Sequence, residues 1–447
     1  MAKTLSGFDT LVLGAGAAGL AAASALASKG RSVCVLEARG RLGGRIFTRH
    51  EPGVPVPLEL GAEFIHGQPA VTFAWLHQSN SAAIDVAHTR WTAASGKLRP
   101  GDDLFEEMKE GLGRLKRPKR DIDFNAFLET AASRRTLSPR ARTFARTLVE
   151  GFDAADADRV STFEILDEWS GDGAADAPTF RPVRGYDALI AAMADTLAPD
   201  KVQLRLNSVV HEVSWKRGAV CVAGSRFDQP FSVEAMQAII ALPLGVLQLP
   251  AELPGGIRFT PILKQKQDAL ARLASGPVIK VLLRFRTAFW EALDAGRYRN
   301  GTFFQNPGAA FPTFWSSLPL RTPVLAAWAA GPNAMRLAGL PTEKIVPIAL
   351  DSLESIFGTR ANCRDELQIA YLHAWQADRF ACGAYSYVTA GGAGAREALA
   401  APLRNTLFFA GEAADTQGEA GTVAGALQSG LRAAQQVLGT KRIADSG

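Results

Sequence analysis

The chain has 447 residues with a formal net charge of +5, and 47% of them are hydrophobic, so a fibrous or disordered protein is excluded and two domains are expected. The positive charge is dispersed. Its densest run, Lys116-Arg-Pro-Lys-Arg120, is broken by proline and reads as a solvated loop, not a nucleic-acid surface.

Four cysteines, Cys34, Cys221, Cys363 and Cys382, lie far apart and form no C-x-x-C pair, which argues against a disulfide framework or a zinc site. No metal is expected. The first residues lack a basic segment followed by a long apolar one, and no run is long enough to span a membrane. A cytoplasmic protein without membrane or nucleic-acid partners, monomeric or homodimeric, is the expectation.

In chain order, the first predicted unit is strand, glycine turn, helix, strand. Leu11-Val12-Leu13 is apolar and turns through Gly14-Ala-Gly16-Ala-Ala18-Gly19 into an alanine-rich segment; Val33-Cys-Val-Leu36 is the second apolar run and ends on Glu37. Gly14 permits the tight turn, Gly16 lets backbone N–H groups approach a pyrophosphate at the helix N-terminus, and Gly19 allows close helix–strand packing. Glu37 has the spacing of a carboxylate that holds a ribose hydroxyl, and Ala38 and Arg39 follow it. Gly43, Gly44 and Arg45 add two close-approach positions and a guanidinium suited to phosphate.

With the G-G-R that follows the acidic residue, this stretch resembles the FAD-binding start of the flavin-dependent amine oxidases. The resemblance covers essentially the whole chain. It implies an α/β two-domain fold, with a Rossmann-like FAD-binding domain from residues 1–71, 198–260 and 375–447 and an α+β substrate domain from 72–197 and 261–374.

The next segment, Leu58-Glu-Leu-Gly61-Ala62-Glu63-Phe64-Ile-His66-Gly67, reads as a strand and loop passing the cofactor. It resembles a polyamine oxidase motif, which implies that Gly61 to Phe64 meet the cofactor and that His66 faces the substrate channel. Helices with charged faces follow, Asp102 to Leu115 and Ala126 to Val149, then an apolar helix after Arg181-Pro-Val-Arg184-Gly185-Tyr186. Strands are expected at Val202 to Leu206, Val209 to Val213 and Ala219 to Val222, and a buried strand closed by Pro243 at Ala238 to Leu242. Likeness to the histone demethylases makes Val210 the adenine contact. Further on, helices are expected at Lys264 to Leu273 and Thr342 to Phe357 and strands at Val278 to Phe285 and Val324 to Ala330.

Three late constellations carry the chemistry. Lys280 interrupts the apolar strand Val278 to Phe285, where burying a charged amine is costly, so it is expected as the one buried ammonium of the chain. In the family a lysine so placed reaches a water near the flavin N5 and assists reoxidation by oxygen. Trp375-Gln-Ala-Asp378-Arg-Phe380-Ala-Cys382-Gly383-Ala384-Tyr385-Ser386 resembles the segment that crosses the flavin face, with Tyr385 walling the amine pocket and Trp375 and Phe380 near the ring. Monoamine oxidases link a cysteine of this segment to the flavin; aligned on Gly383 and Tyr385, that position is Ala384, so non-covalent FAD is expected. Finally, Gly411-Glu412 is expected to hold a cofactor hydroxyl, and Gly421-Thr422-Val423 to offer helix N–H groups to the flavin's polar edge. Thr422 stands where monoamine oxidases have a second tyrosine.

The resemblance implies an amine oxidase that passes a hydride equivalent from the carbon beside an amine nitrogen to FAD, with oxygen reduced to hydrogen peroxide. Polyamines such as spermine or spermidine are the expected substrates. Glu63, Glu150 and Asp153 are candidates to grip a distal ammonium. An L-amino-acid oxidase of the same fold would need an arginine for the substrate carboxylate, Arg181 or Arg184; a flavin-bearing scaffold without turnover is the other alternative.

Overall fold

The computed structural model describes residues 3–94, 97–169 and 177–440. Its frame is an eight-stranded sheet ordered Val202–Arg205, Val33–Leu36, Lys3–Leu13, Gln229–Ile240, Ala219–Arg226, Ser208–Lys216 and Arg258–Thr260, with Leu407–Phe409 also paired to Gln229–Ile240. The strands around Lys3–Leu13 run parallel, so both sheet faces are covered. This is why Leu11, Val12 and Leu13 form an unbroken apolar run: all three are fully buried.

The Ala17–Ala27 helix leaves the first strand at Gly14 and packs against the Val423–Gly439 helix near the other end of the chain. The two approach closely because Gly430 has no side chain; a Cβ there would lie 2.2 Å from the Ala18 carbonyl oxygen. The two chain ends thereby build one wall together.

A second, seven-stranded sheet faces this unit, ordered Leu367–Ala374, Val278–Phe285, Val324–Ala330, Thr313–Ser316, Phe303–Gln305, Arg90–Ala94 and Lys97–Pro100. Val278–Phe285 is central, paired antiparallel on both sides, and nearly every residue in it is buried. Lys280 therefore has no solvent face to turn to. A small sheet ordered Ile65–His66, Thr179–Pro182 and Ala83–Asp85 brings His66 and Arg181 beside it.

Two expectations need correction. Ala126 to Val149 is not one helix: Phe124–Leu128, Ala131–Thr136 and Pro139–Phe152 are separate, each started by a side-chain cap from Asp123, Thr130 and Ser138. Those short polar side chains satisfy orphan N–H groups of a new helix, which outweighs continuing the old one. Nor is Lys280 the lone buried amine. Lys266, in the Lys264–Ala271 helix, is just as enclosed at 1% exposure.

Candidate active site

One cavity of about 1100 Å³ is lined from both large sheets and from the helices between them. At its nucleotide end lie Gly14, Gly16, Ala18, Glu37, Ala38, Arg39, Gly43, Gly44, Arg45 and Val210. Both oxygens of Glu37 are fixed by the backbone, Ala15 N–H donating to one and Arg39 N–H to the other, each at 2.8 Å. Burial raises this carboxyl above the ordinary glutamate value despite those bonds. Gly14 turns at φ +100°, and Gly16 sits against Gly43 and Gly44 with no side chain between them. The result is a backbone-lined cradle whose N–H groups and bare glycines suit a pyrophosphate.

Gly19 alone of the proposed cofactor residues does not line the cavity. A Cβ there would fall 1.9 Å from the Gly14 carbonyl oxygen, so its role is to let helix and strand touch.

Where the cradle opens, Gly61, Ala62, Glu63, Phe64, Lys280, Trp375, Phe380, Gly411, Glu412, Gly421, Thr422 and Val423 converge. The Lys280 Nζ donates to Glu63 Oε2 at 2.6 Å and to the Gly61 carbonyl at 3.3 Å. Arg181 Nε donates to the other Glu63 oxygen at 2.9 Å, and Trp315 Nε1 reaches both at 3.0 Å. Burial works to raise the Glu63 carboxyl, but Lys280 and Arg181 hold it below the ordinary value. Glu63 is thus committed to the chain's own cations and is not free to grip a substrate.

The Trp375 indole donates to the Leu60 carbonyl at 3.0 Å, and Phe380 lies under the Arg39 guanidinium at 5.4 Å. Arg39 also meets Asp378 at 2.7 Å. Glu412 accepts from Arg45 at 2.8 Å on one oxygen and from the Ser386 hydroxyl at 2.7 Å on the other, so it anchors Arg45 at the cavity wall. Thr422 caps the Val423–Gly439 helix: its hydroxyl accepts from Gly425 N–H and donates to the Glu419 carbonyl. What it gives the site is a helix N-terminus with its positive end toward the cavity, not a free hydroxyl.

The far end is aromatic. His66 packs 5.3 Å from Phe152, whose ring lies 5.1 Å from Trp169, and the Tyr385 hydroxyl donates to the Phe152 carbonyl. Burial, with His88 nearby, lowers His66 to about 4, so it is a neutral ring at pH 7. Asp153 takes a hydrogen bond from Trp169 Nε1 at 3.2 Å and is hydrogen-bonded to Glu168. Burial and mutual repulsion push Asp153 well up and Glu168 up to about 7, so the two share a proton near neutrality.

Sequence reasoning named Asp153 but passed over Glu168. The signal was available, since Glu168 follows Glu164 by one helical turn on the cavity side of Thr162–Trp169. Glu150 is outside the cavity lining. Of the two arginines considered for a carboxylate substrate, Arg181 spends its other donors on the Ser316 and Leu318 carbonyls, and Arg184 lines a separate surface recess. Ala384 faces the cavity; Cys382 does not.

A glycine cradle on a parallel sheet, closed by a second sheet over an aromatic chamber, defines a dinucleotide-dependent oxidoreductase. Residues 17–438 match the family model for flavin containing amine oxidoreductases, and the chain belongs to that family. It is a flavin-dependent amine oxidase, and its cofactor is FAD. Polyamine oxidase 3 of Oryza sativa subsp. japonica is 29% identical over 96% of this chain and 88% of its own length. Lysine-specific histone demethylase 1 homolog 3 of Arabidopsis thaliana is 28% identical over 96% of this chain, which spans 30% of that relative. Among solved structures, putrescine oxidase bound to putrescine has a TM-score of 0.80 at 21% identity, covering 98% of this chain and all of the other, a likeness of fold. No helix among the described residues is long and apolar enough to cross a membrane.

Proposed function

We propose that this enzyme oxidises amines bearing a second ammonium group, polyamines above all, at a carbon next to an amine nitrogen, with oxygen reduced to hydrogen peroxide and FAD held without a covalent link. The observation that carries the reading is the Asp153–Glu168 pair, a proton-sharing anion inside an otherwise aromatic chamber. A distal ammonium gives such a pair the counter-charge it lacks.

FAD, when bound, supplies the acceptor for the hydride equivalent, and the imine left behind is hydrolysed by water. The chain's residues then have separable tasks. Gly14, Gly16, Gly43 and Gly44 let the backbone come close to the pyrophosphate, with Glu37 in reach of a ribose, and the Thr422–Val423 helix end favours negative charge at the ring's polar edge. Tyr385, with its hydroxyl tied to Phe152, and neutral His66 present apolar surface around the reacting nitrogen. Removing water there disfavours the protonated amine, so the reacting nitrogen loses its proton while the distal one keeps its own at Glu168. Lys280, held by Glu63, keeps an amine donor at the cavity wall.

A peroxide assay over diamines, polyamines, monoamines of equal length and L-amino acids tests this. Peroxide from polyamines with excess of rate over monoamines is expected. Peroxide from L-amino acids alone would overturn it, and no peroxide from any compound would favour a non-catalytic scaffold. The committed contacts of Arg181 and the remote position of Arg184 weigh against the amino acid reading.

A further inference from the structure

Arg396 begins the Ala395–Ala400 helix with its side chain 11% exposed, and it faces two ways. Toward the amine chamber, Nη2 and Nε donate to Glu164 Oε1 at 2.6 and 3.3 Å. Toward the cofactor cradle, Nη1 donates to the Ser386 hydroxyl at 2.6 Å and Nη2 to the Ser386 carbonyl at 3.1 Å. Ser386 hands its own hydroxyl proton to Glu412, which receives Arg45 on its other oxygen. A continuous run of charge-assisted bonds therefore joins Arg45 to Glu164 through Glu412, Ser386 and Arg396.

Glu164 is i−4 to Glu168 in the Thr162–Trp169 helix, so whatever fixes one sets where the other points. The second Glu164 oxygen accepts from Val388 N–H, which locks the helix from a further side. A guanidinium is suited to this post because its fork of donors serves two partners at fixed angles; an ammonium would not.

We propose that Arg396 is a positioning residue through which the FAD cradle and the Thr162–Trp169 helix hold one another in place, so that a lesion on one side of it is felt on the other. This rests on the reading of Glu168 as the carboxylate for the distal ammonium. Glu164 makes no bond to Arg45 or Glu412, yet its loss weakens FAD binding; Arg396 makes no bond to Glu168, yet its loss spoils the choice between diamine and monoamine.

The test uses Arg396→Gln, Glu164→Gln, their double variant and Glu168→Gln. FAD affinity is measured by titrating the apoprotein and following flavin fluorescence, and KM and kcat are measured for a diamine and a monoamine of equal chain length. Glu164→Gln and Arg396→Gln are each expected to lose about tenfold or more in FAD affinity, the scale of one charge-assisted hydrogen bond, and the double variant no more than the worse single. Arg396→Gln should raise KM for the diamine about tenfold more than for the monoamine, with kcat changing less; general loosening of the fold would not split the two substrates. Wild-type FAD affinity in Glu164→Gln, or additive losses in the double variant, overturns the proposal. If Glu168→Gln leaves the diamine preference intact, the reading of the amine site fails instead, and the FAD titration still decides the linkage. Should Arg396→Gln be insoluble, the isosteric Glu164→Gln decides it alone.

Discussion

Lys280 Nζ and Glu63 Oε2 lie 2.6 Å apart, and the pair is shut away from solvent with Arg181 on the carboxylate's other oxygen. A buried amine in a central strand would be costly unpaired, and Glu63 offsets that cost. Lys280→Met is expected to retain FAD while turnover falls sharply. Because Arg181 and Trp315 still hold Glu63, the stability loss should be about 1–3 kcal/mol, below the usual range for orphaning a buried ion. Stopped-flow absorbance of the flavin separates the two half-reactions, and unaltered rates in both would remove Lys280 from the mechanism.

The nearest thiol to the flavin-crossing segment is placed so that it cannot link. Cys382 sits at φ +53°, its Sγ directed to the Arg379 carbonyl at 3.7 Å, while Ala384 occupies the cavity wall. Burial raises its thiol, which keeps it from forming the nucleophilic thiolate. Acid precipitation is expected to leave the yellow colour in the supernatant; a coloured pellet would contradict it.

The cofactor end was legible because its signals are local: glycines where the backbone must turn or touch, and an acidic residue at fixed spacing from them. The amine end was not. Glu63 meets Lys280 across 217 residues and Arg181 across 118, and no periodicity carries that information. Lys266, within Lys-Gln-Lys-Gln, looks like a solvated helix face until the Ala395–Ala400 helix is laid over it. The helix breaks before Ala131 and Pro139 were readable from Thr130 and Ser138, but the surrounding apolar spacing obscured them.

Glu168 ties stability to pH with a definite sign. Its carboxyl is raised by burial and by Glu164 to about 7 in the folded chain, against 4.5 for the ordinary group, so over that window the unfolded chain releases a proton that the folded one keeps. Stability therefore falls as pH rises from about 4.5 through about 7. Glu168→Gln removes the titration, and its advantage over the parent should grow across the same window to about 1–2 kcal/mol. Urea unfolding of the apoprotein at pH 5 and pH 8 checks this; the same variant should have a raised KM for diamines, a trade of stability for binding.

Lys266 titrates the other way. Its Nζ donates to the Ala398, Leu399 and Ala401 carbonyls at the end of the Ala395–Ala400 helix and lies 4.6 Å from the Phe409 ring, with no carboxylate among these partners. Arg432 holds the intervening Ala400 carbonyl at 2.9 Å, so two cations serve one helix end. Burial, and then Arg432, lower the amine to about 8 from 10.5. Between those values the unfolded chain holds a proton that the folded chain has given up, and stability contributed by this site rises with pH. Lys266→Met strands three carbonyls and should cost about 1–3 kcal/mol at pH 7. Since the variant lacks the titration, its deficit should widen between about pH 8 and 10.5, measured by urea unfolding at both. A deficit that narrows over that range would mean the amine stays protonated in the fold, fully served by the helix end beneath it.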